Sequence, residues 1–141
     1  MKITKMENYR QFMGRLAPGQ DLYAAINNLC KDMSISIGHV QGIGAVRNAV
    51  IGYFDPVKGE YKENRFDQQM EIVSFNGNIS LKDGVPVVHA HIALGDPEGR
   101  VFGGHLLPGT EIFVFEYVIT TGDGVLKRVM DSQLKLSLWE S

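Results

Sequence analysis

Three of the chain's four histidines fall within 17 consecutive residues, HAHIALGDPEGRVFGGH, as His89, His91 and His105. Neutral imidazole ligates zinc, copper, iron and nickel, and three imidazoles leave one position open for water or substrate. His89 and His91 are two apart in a β-prone run, so both side chains leave the same face of a strand. Their Cα atoms then lie about 6.5 Å apart at the usual strand rise, near enough for both rings to reach one ion. Asp96-Pro97-Glu98-Gly99 fits a type I turn, which returns the chain and puts His105 on the neighbouring strand. If those four residues are the whole loop, His105 pairs with Ala90 and faces away from the other two histidines. A one-residue slip reverses the facing, and Gly103-Gly104 is expected to supply it as a bulge. The alternative is three partly exposed histidines on an ordinary hairpin. A cupin site fits poorly: Gly95 and Asp96 stand where it needs a glutamate, and no second half with a later histidine follows.

The elements that must position these histidines follow from pattern. Residues 10–16 read as a first strand, broken by Pro18-Gly19. Leu22, Ala25, Ile26, Leu29, Cys30 and Met33 then form one helical stripe about three turns long, with Asp21 placed to cap it. Beyond Ser34 the chain reads as strands: 35–40, 44–54, 60–66, 70–75, 78–81, 85–94, 100–107, 111–121 and 134–139. Asn76-Gly77 suits a hairpin turn or a bulge between two of them. One early helix and a run of hairpin-connected strands make an α+β domain, a mostly antiparallel sheet with the helix covering one face.

At 141 residues the chain is expected to form a single domain, 1–141. One cysteine excludes an intrachain disulfide and a thiolate-rich metal site; Cys30 lies on the helix's apolar stripe and reads as core. A formal net charge of −2 gives no global pull toward nucleic acid. Without a secretory or transit pattern or a long apolar run, the expected home is the cytoplasm, away from membranes.

The segment MEIVSFNGNIS followed by VPVVHAHIALGDPEGRVFGGHLLPG resembles the plants-and-prokaryotes conserved domain. GIGAVRNAVIGYFD resembles that family's glycine-bearing second strand, and LAPGQDLYAAINNLC its opening strand-to-helix turn. The resemblance implies a compact α+β domain that assembles as a homotrimer. It implies that His89, His91 and His105 hold a divalent transition metal, zinc first. Plant members carry AT-hooks that read A·T-rich DNA, and standalone prokaryotic members are often labelled DNA-binding by that analogy. No Arg-Gly-Arg-Pro stretch occurs here, so sequence-specific DNA binding is not expected. Gln20 stands where the family often has glutamate.

Two carboxylates are candidates for catalysis beside the histidines. Glu71 occupies a position that the family usually keeps acidic, and Glu116 interrupts the apolar run IFVFEYVI. Either could orient a ligand histidine or act as a base; the plainer reading of Glu71 is a solvated strand residue. Arg15 and Arg47 read as edge or interface pairs or as anion ligands. His39 reads as a hydrogen-bonded strand histidine, and Lys127, Arg128, Asp131 and Ser132 as solvated surface. Three functions are compatible with this: a metal-binding trimeric module for a protein partner or small ligand, a zinc-dependent enzyme, or a DNA-associated regulatory protein. The first has the most support, since no nucleophile motif or phosphate loop backs the second.

Overall fold

The computed structural model describes residues 3–140. In chain order it runs β1 (Glu7–Leu16), α1 (Leu22–Asp32), β2 (Gly38–Asp55), β3 (Glu60–Phe66), β4 (Met70–Lys82), β5 (Val85–Gly95), β6 (Val101–Leu106), β7 (Glu111–Asp123), β8 (Lys127–Asp131) and β9 (Leu136–Trp139). The α+β expectation holds. Every strand pair among the described residues is antiparallel except β4 with β8.

The helix forms where the stripe places it. Leu22, Ile26 and Cys30 are buried at i, i+4 and i+8, and burial pushes the Cys30 thiol up to about 12. Asp21 is extended, and its Oδ1 accepts from Ala24 N at 2.7 Å, the bond of an N-cap. Its Oδ2 accepts from Gly109 N at 2.6 Å and Thr110 N at 3.1 Å, tying the helix start to the chain entering β7. The helix ends at Met33, and Ser34 follows at a left-handed φ of 53°. Because Asp21 serves three backbone donors, Asp21→Ala is expected to cost ~2–3 kcal/mol, the cap plus two charge-assisted bonds. Chemical denaturation checks this; a loss below ~0.5 kcal/mol would leave the carboxylate a bystander.

The 18 residues of β2 act as a spine. Along one edge, β4 pairs from Gly38↔Ile79 to Val46↔Met70, and β3 continues from Ala49↔Phe66 to Asp55↔Glu60. Along the other edge, β7 pairs from Gly38↔Thr121 to Asn48↔Glu111, and β6 continues at Ile51↔Leu106 and Gly52↔His105. β5 pairs with both β4 and β6, so the path from β2 through β4, β5 and β6 closes back on β2. The core, with Val40, Phe75, Ile79, Ala90, Ile92, Leu94, Phe115 and Ile119, is sealed by α1 through Leu22, Ile26 and Cys30. No helix among the described residues is long and apolar enough to cross a membrane.

Three expectations are corrected. Asn76-Gly77 makes neither hairpin nor bulge: β4 runs straight through it, because β5 pairs with Asn76, Gly77 and Asn78 without a shift. The bulge with β5 falls instead between Ile72 and Ser74. The stretch expected as a single last strand starts later, after the β8–β9 turn. Arg128 is not solvated surface: it is 8% exposed, and its guanidinium donates to Ser80 Oγ at 2.8 Å, Ser137 O at 2.9 Å and Asn78 Oδ1. A parallel pairing of β4 with β8, which aligns Lys82 with Arg128, creates that position, and local pattern cannot announce it.

Candidate metal centre

The β5–β6 turn settles how His105 meets the other two histidines. Asp96 N donates to Arg100 O at 3.0 Å, and Asp96 Oδ1 accepts from Glu98 N at 3.0 Å and Arg100 N at 2.8 Å. Arg100 Nε adds a 2.6 Å bond to Asp96 Oδ2. The loop therefore includes Arg100, and the first pair beyond it is Gly95↔Val101. That one extra residue makes His91 the partner of His105. The expected bulge at Gly103-Gly104 does not exist; both glycines stay in register, opposite Ala93 and Ile92. Close approach explains Gly104, where a β-carbon would stand 2.8 Å from Gly52 O on β2.

On the sheet face away from Ala90, Ile92 and Leu94, His89, His91 and His105 converge. Each offers one ligand atom, and these atoms all lie within 4.8 Å of one another. The ring centroids are 5.3 Å (His89–His91), 5.0 Å (His89–His105) and 5.6 Å (His91–His105) apart. Nitrogens around a tetrahedral zinc sit about 3.3 Å apart, so rotamer adjustments of about 1.5 Å or less close the gap. His105 Nδ1 is buried and has no hydrogen-bond partner. Such orphans are rare, and a bond to a metal would account for this one. Tyr61 of β3 stacks on the His105 ring at 4.7 Å and 23°, fixing its plane.

Burial and neighbouring charge keep His89 and His105 in the ligating form. Burial lowers the His105 pKa from the usual 6.5 to about 4, with further lowering from His89, His91 and the Arg128 guanidinium. His89 is lowered by burial, then by Arg128 and His91. Neutral imidazole is the form that binds a metal without first losing a proton.

The structure does not bring the two carboxylates to this centre. Glu71 is exposed and pairs with Gly95 and Ala45, five positions along β4 from the partner of His91, roughly 15 Å at the strand rise. Glu116 pairs with Arg15 and Ile43. Both line a shallow depression with Ile43, Val73 and Val114, apart from the histidines. His39 is a strand histidine bonded to Asn76 Oδ1 at 2.9 Å, as expected. Arg47 pairs with Glu111 at 3.5 Å and lies 5.7 Å over the Phe113 ring. Sequence reasoning missed Tyr61, Arg128 and the β8–β9 hairpin that walls the histidine cleft. Tyr61 lies in a polar strand, and nothing in its spacing marks it.

The family model of the Plants and Prokaryotes Conserved (PCC) domain matches residues 3–123. The chain belongs to this family. A metal-containing protein from Archaeoglobus fulgidus shares the fold at a TM-score of 0.93 and 39% identity, each chain covered over 100% of its length. A plant- and prokaryote-conserved protein from Pyrococcus horikoshii superposes at 0.90 with 39% identity, over 100% of this chain and 96% of that one. A candidate DNA-binding protein from Bacteroides thetaiotaomicron does so at 0.87 with 26% identity, over 96% and 98%. The curated relatives that match are bifunctional GlmU proteins of two Synechococcus strains; the first is 29% identical over 106 residues. Those residues are 74% of this chain but only 16% of that relative's length.

Proposed function

We propose that this PCC-domain chain is a metal-binding homotrimeric module, holding one divalent transition metal, zinc first, through His89, His91 and His105, and offering the open coordination position to a ligand. The observation that carries the reading is the convergence of three imidazoles, one with a buried and otherwise unpartnered nitrogen. The metal-containing relative at 39% identity supports it. When bound, the ion would supply Lewis acidity at the open position; the chain's own residues hold the three rings convergent and stack Tyr61 against His105. The test is elemental analysis of purified protein joined to a structure of the metal-loaded form. A carboxylate, thiolate or fourth histidine closing the coordination sphere in every subunit would overturn the open site.

For the homotrimer, the support is a set of exposed apolar side chains, interspersed with Arg15, Gln41 and Glu116. Met13, Ile43, Val73 and Phe113 are 80%, 60%, 54% and 46% exposed on neighbouring strands β1, β2, β4 and β7. Among the described residues β1 pairs only with β7, which leaves its other edge as an open template. Cyclic association covers such side chains and such an edge. Light scattering is expected to report about three times 15.7 kDa. A stable monomer at micromolar concentration would refute the trimer.

The enzyme reading loses the two carboxylates expected to serve it, Glu71 and Glu116, because no described residue lining the histidine cleft is an aspartate or glutamate. The DNA reading draws on the name of a 26%-identical relative. A net charge of −2 over these residues gives no overall electrostatic pull toward duplex DNA. Cytoplasmic residence is the setting proposed for the module.

A further inference from the structure

The histidines form one wall of a cleft of about 650 Å³, a volume ordinary for small-molecule sites. Its charged lining, apart from the histidines, is Lys82, Arg128 and Lys135. Burial and its three acceptors fix Arg128 in place, so it contributes charge at a set position. Lys135, at the left-handed turn before β9, lies across Gly59 in the turn between β2 and β3. The β8–β9 hairpin and the β2–β3 hairpin thus carry cations and aromatic walls to opposite sides of the histidines.

A divalent ion on three imidazoles would bring two more positive charges to a cleft whose lining already has three cations and no carboxylate. Lys82 and Lys135 are exposed, but Arg128 is buried and meets only neutral acceptors, so a counterion for it and the ion has to come from outside the chain. A second observation points the same way. Only two buried side-chain polar atoms among the described residues lack a partner, His105 Nδ1 and Ser137 Oγ, and both residues line this cleft. A metal would account for the first and a ligand oxygen for the second. Tyr53, Phe54, Met130, Leu136 and Leu138 make the remaining walls largely apolar or aromatic.

We infer that the ligand is an organic oxyanion: a carboxylate or phosphate headgroup placed among the histidines, Arg128, Lys82 and Lys135, with an apolar or aromatic body against the β8–β9 hairpin. The inference rests on the metal-binding reading for one of its charges and names the ligand class for that site. Cobalt-substituted protein of measured metal content is titrated with benzoate, phenyl phosphate, inorganic phosphate and benzyl alcohol. Calorimetry and the visible cobalt spectrum are the readouts. At least one of the two aromatic anions is expected to bind tenfold or more tighter than benzyl alcohol and to perturb the spectrum, and which of them does so identifies the headgroup. Inorganic phosphate, which lacks the body, is expected to bind more weakly than phenyl phosphate. A Lys82→Met, Lys135→Met variant is expected to lose at least tenfold in affinity for the anion and nothing for the alcohol. Binding of benzyl alcohol as tight as that of the anions, silence from both aromatic anions, or an unchanged double variant would overturn the inference. If the wild-type chain takes up no cobalt, the metal reading fails separately. Calorimetry on the metal-free protein then decides the anion by the same lysine dependence.

Discussion

A His89→Ala, His105→Ala variant is expected to hold less than a tenth of the metal bound by the wild-type chain, which should carry about one ion per chain. Structural zinc sites built from four ligands are worth ~10–16 kcal/mol, so each ligand contributes ~3 kcal/mol and two together some four orders of magnitude in affinity. His91, the remaining ligand, is the exposed member of the three, and among the described residues the cluster holds no other histidine, cysteine or carboxylate. The fold should survive, because His89 and His105 stand on the side of β5 and β6 away from the core and neither belongs to it. Far-ultraviolet circular dichroism tests that point, and elemental analysis after dialysis tests the metal. His39→Ala is the matched control: its imidazole bonds Asn76 and is no part of the cluster, so metal content should hold. Full occupancy in the double variant would remove the metal centre from this site.

Much of this site could be read from sequence because its logic is local. An H-x-H pair needs only strand periodicity to share a face, and the i, i+4, i+8 stripe of Leu22, Ile26 and Cys30 needs only helical periodicity to find the core. The register of His105 was harder. It turns on whether Arg100 belongs to the loop or to the strand, and that is decided by the side chain of Asp96 bonding two backbone amides and the Arg100 guanidinium. Type I turn propensity over four residues cannot see a fifth one being captured. The same limit explains Arg128 and Tyr61. One is made a buried cation by a parallel pairing between β4 and β8, and the other reaches His105 only because β3 and β6 both meet β2 near Gly52. Glu71 and Glu116 show the opposite failure. Each looks chemical within an apolar strand, yet their faces lead to the apolar depression around Ile43 and Val73. An acid on a sheet is functional only if register brings it to the site, and register is a long-range property.

Gly44→Ala is expected to cost ~2–6 kcal/mol, the largest stability effect of any single change here. Gly44 stands in the spine strand at φ 150°, in a region that glycine alone occupies readily. A β-carbon there would fall against the Val114 carbonyl oxygen and within 3.0 Å of Phe115 Cα. Those atoms are backbone of β7, which pairs with β2 on one side while Ile72 of β4 pairs with Gly44 on the other. The methyl group cannot be relieved by a rotamer change; a ladder must open. Backbone strain of ~1–3 kcal/mol and overpacking of another ~1–3 kcal/mol are together a large share of the ~5–15 kcal/mol that holds a domain folded. Gly84→Ala separates the two contributions. Gly84 has φ 80° and open space around its β-position, so it should cost only ~1–2 kcal/mol, the left-handed strain alone. Because the ligand histidines come from two strands held in register by β2, metal content should fall with the folded fraction of Gly44→Ala. Denaturant unfolding of the two variants side by side makes the comparison. If Gly44→Ala loses no more stability than Gly84→Ala, the spine can yield at Gly44, and the tight packing assigned to that position is wrong.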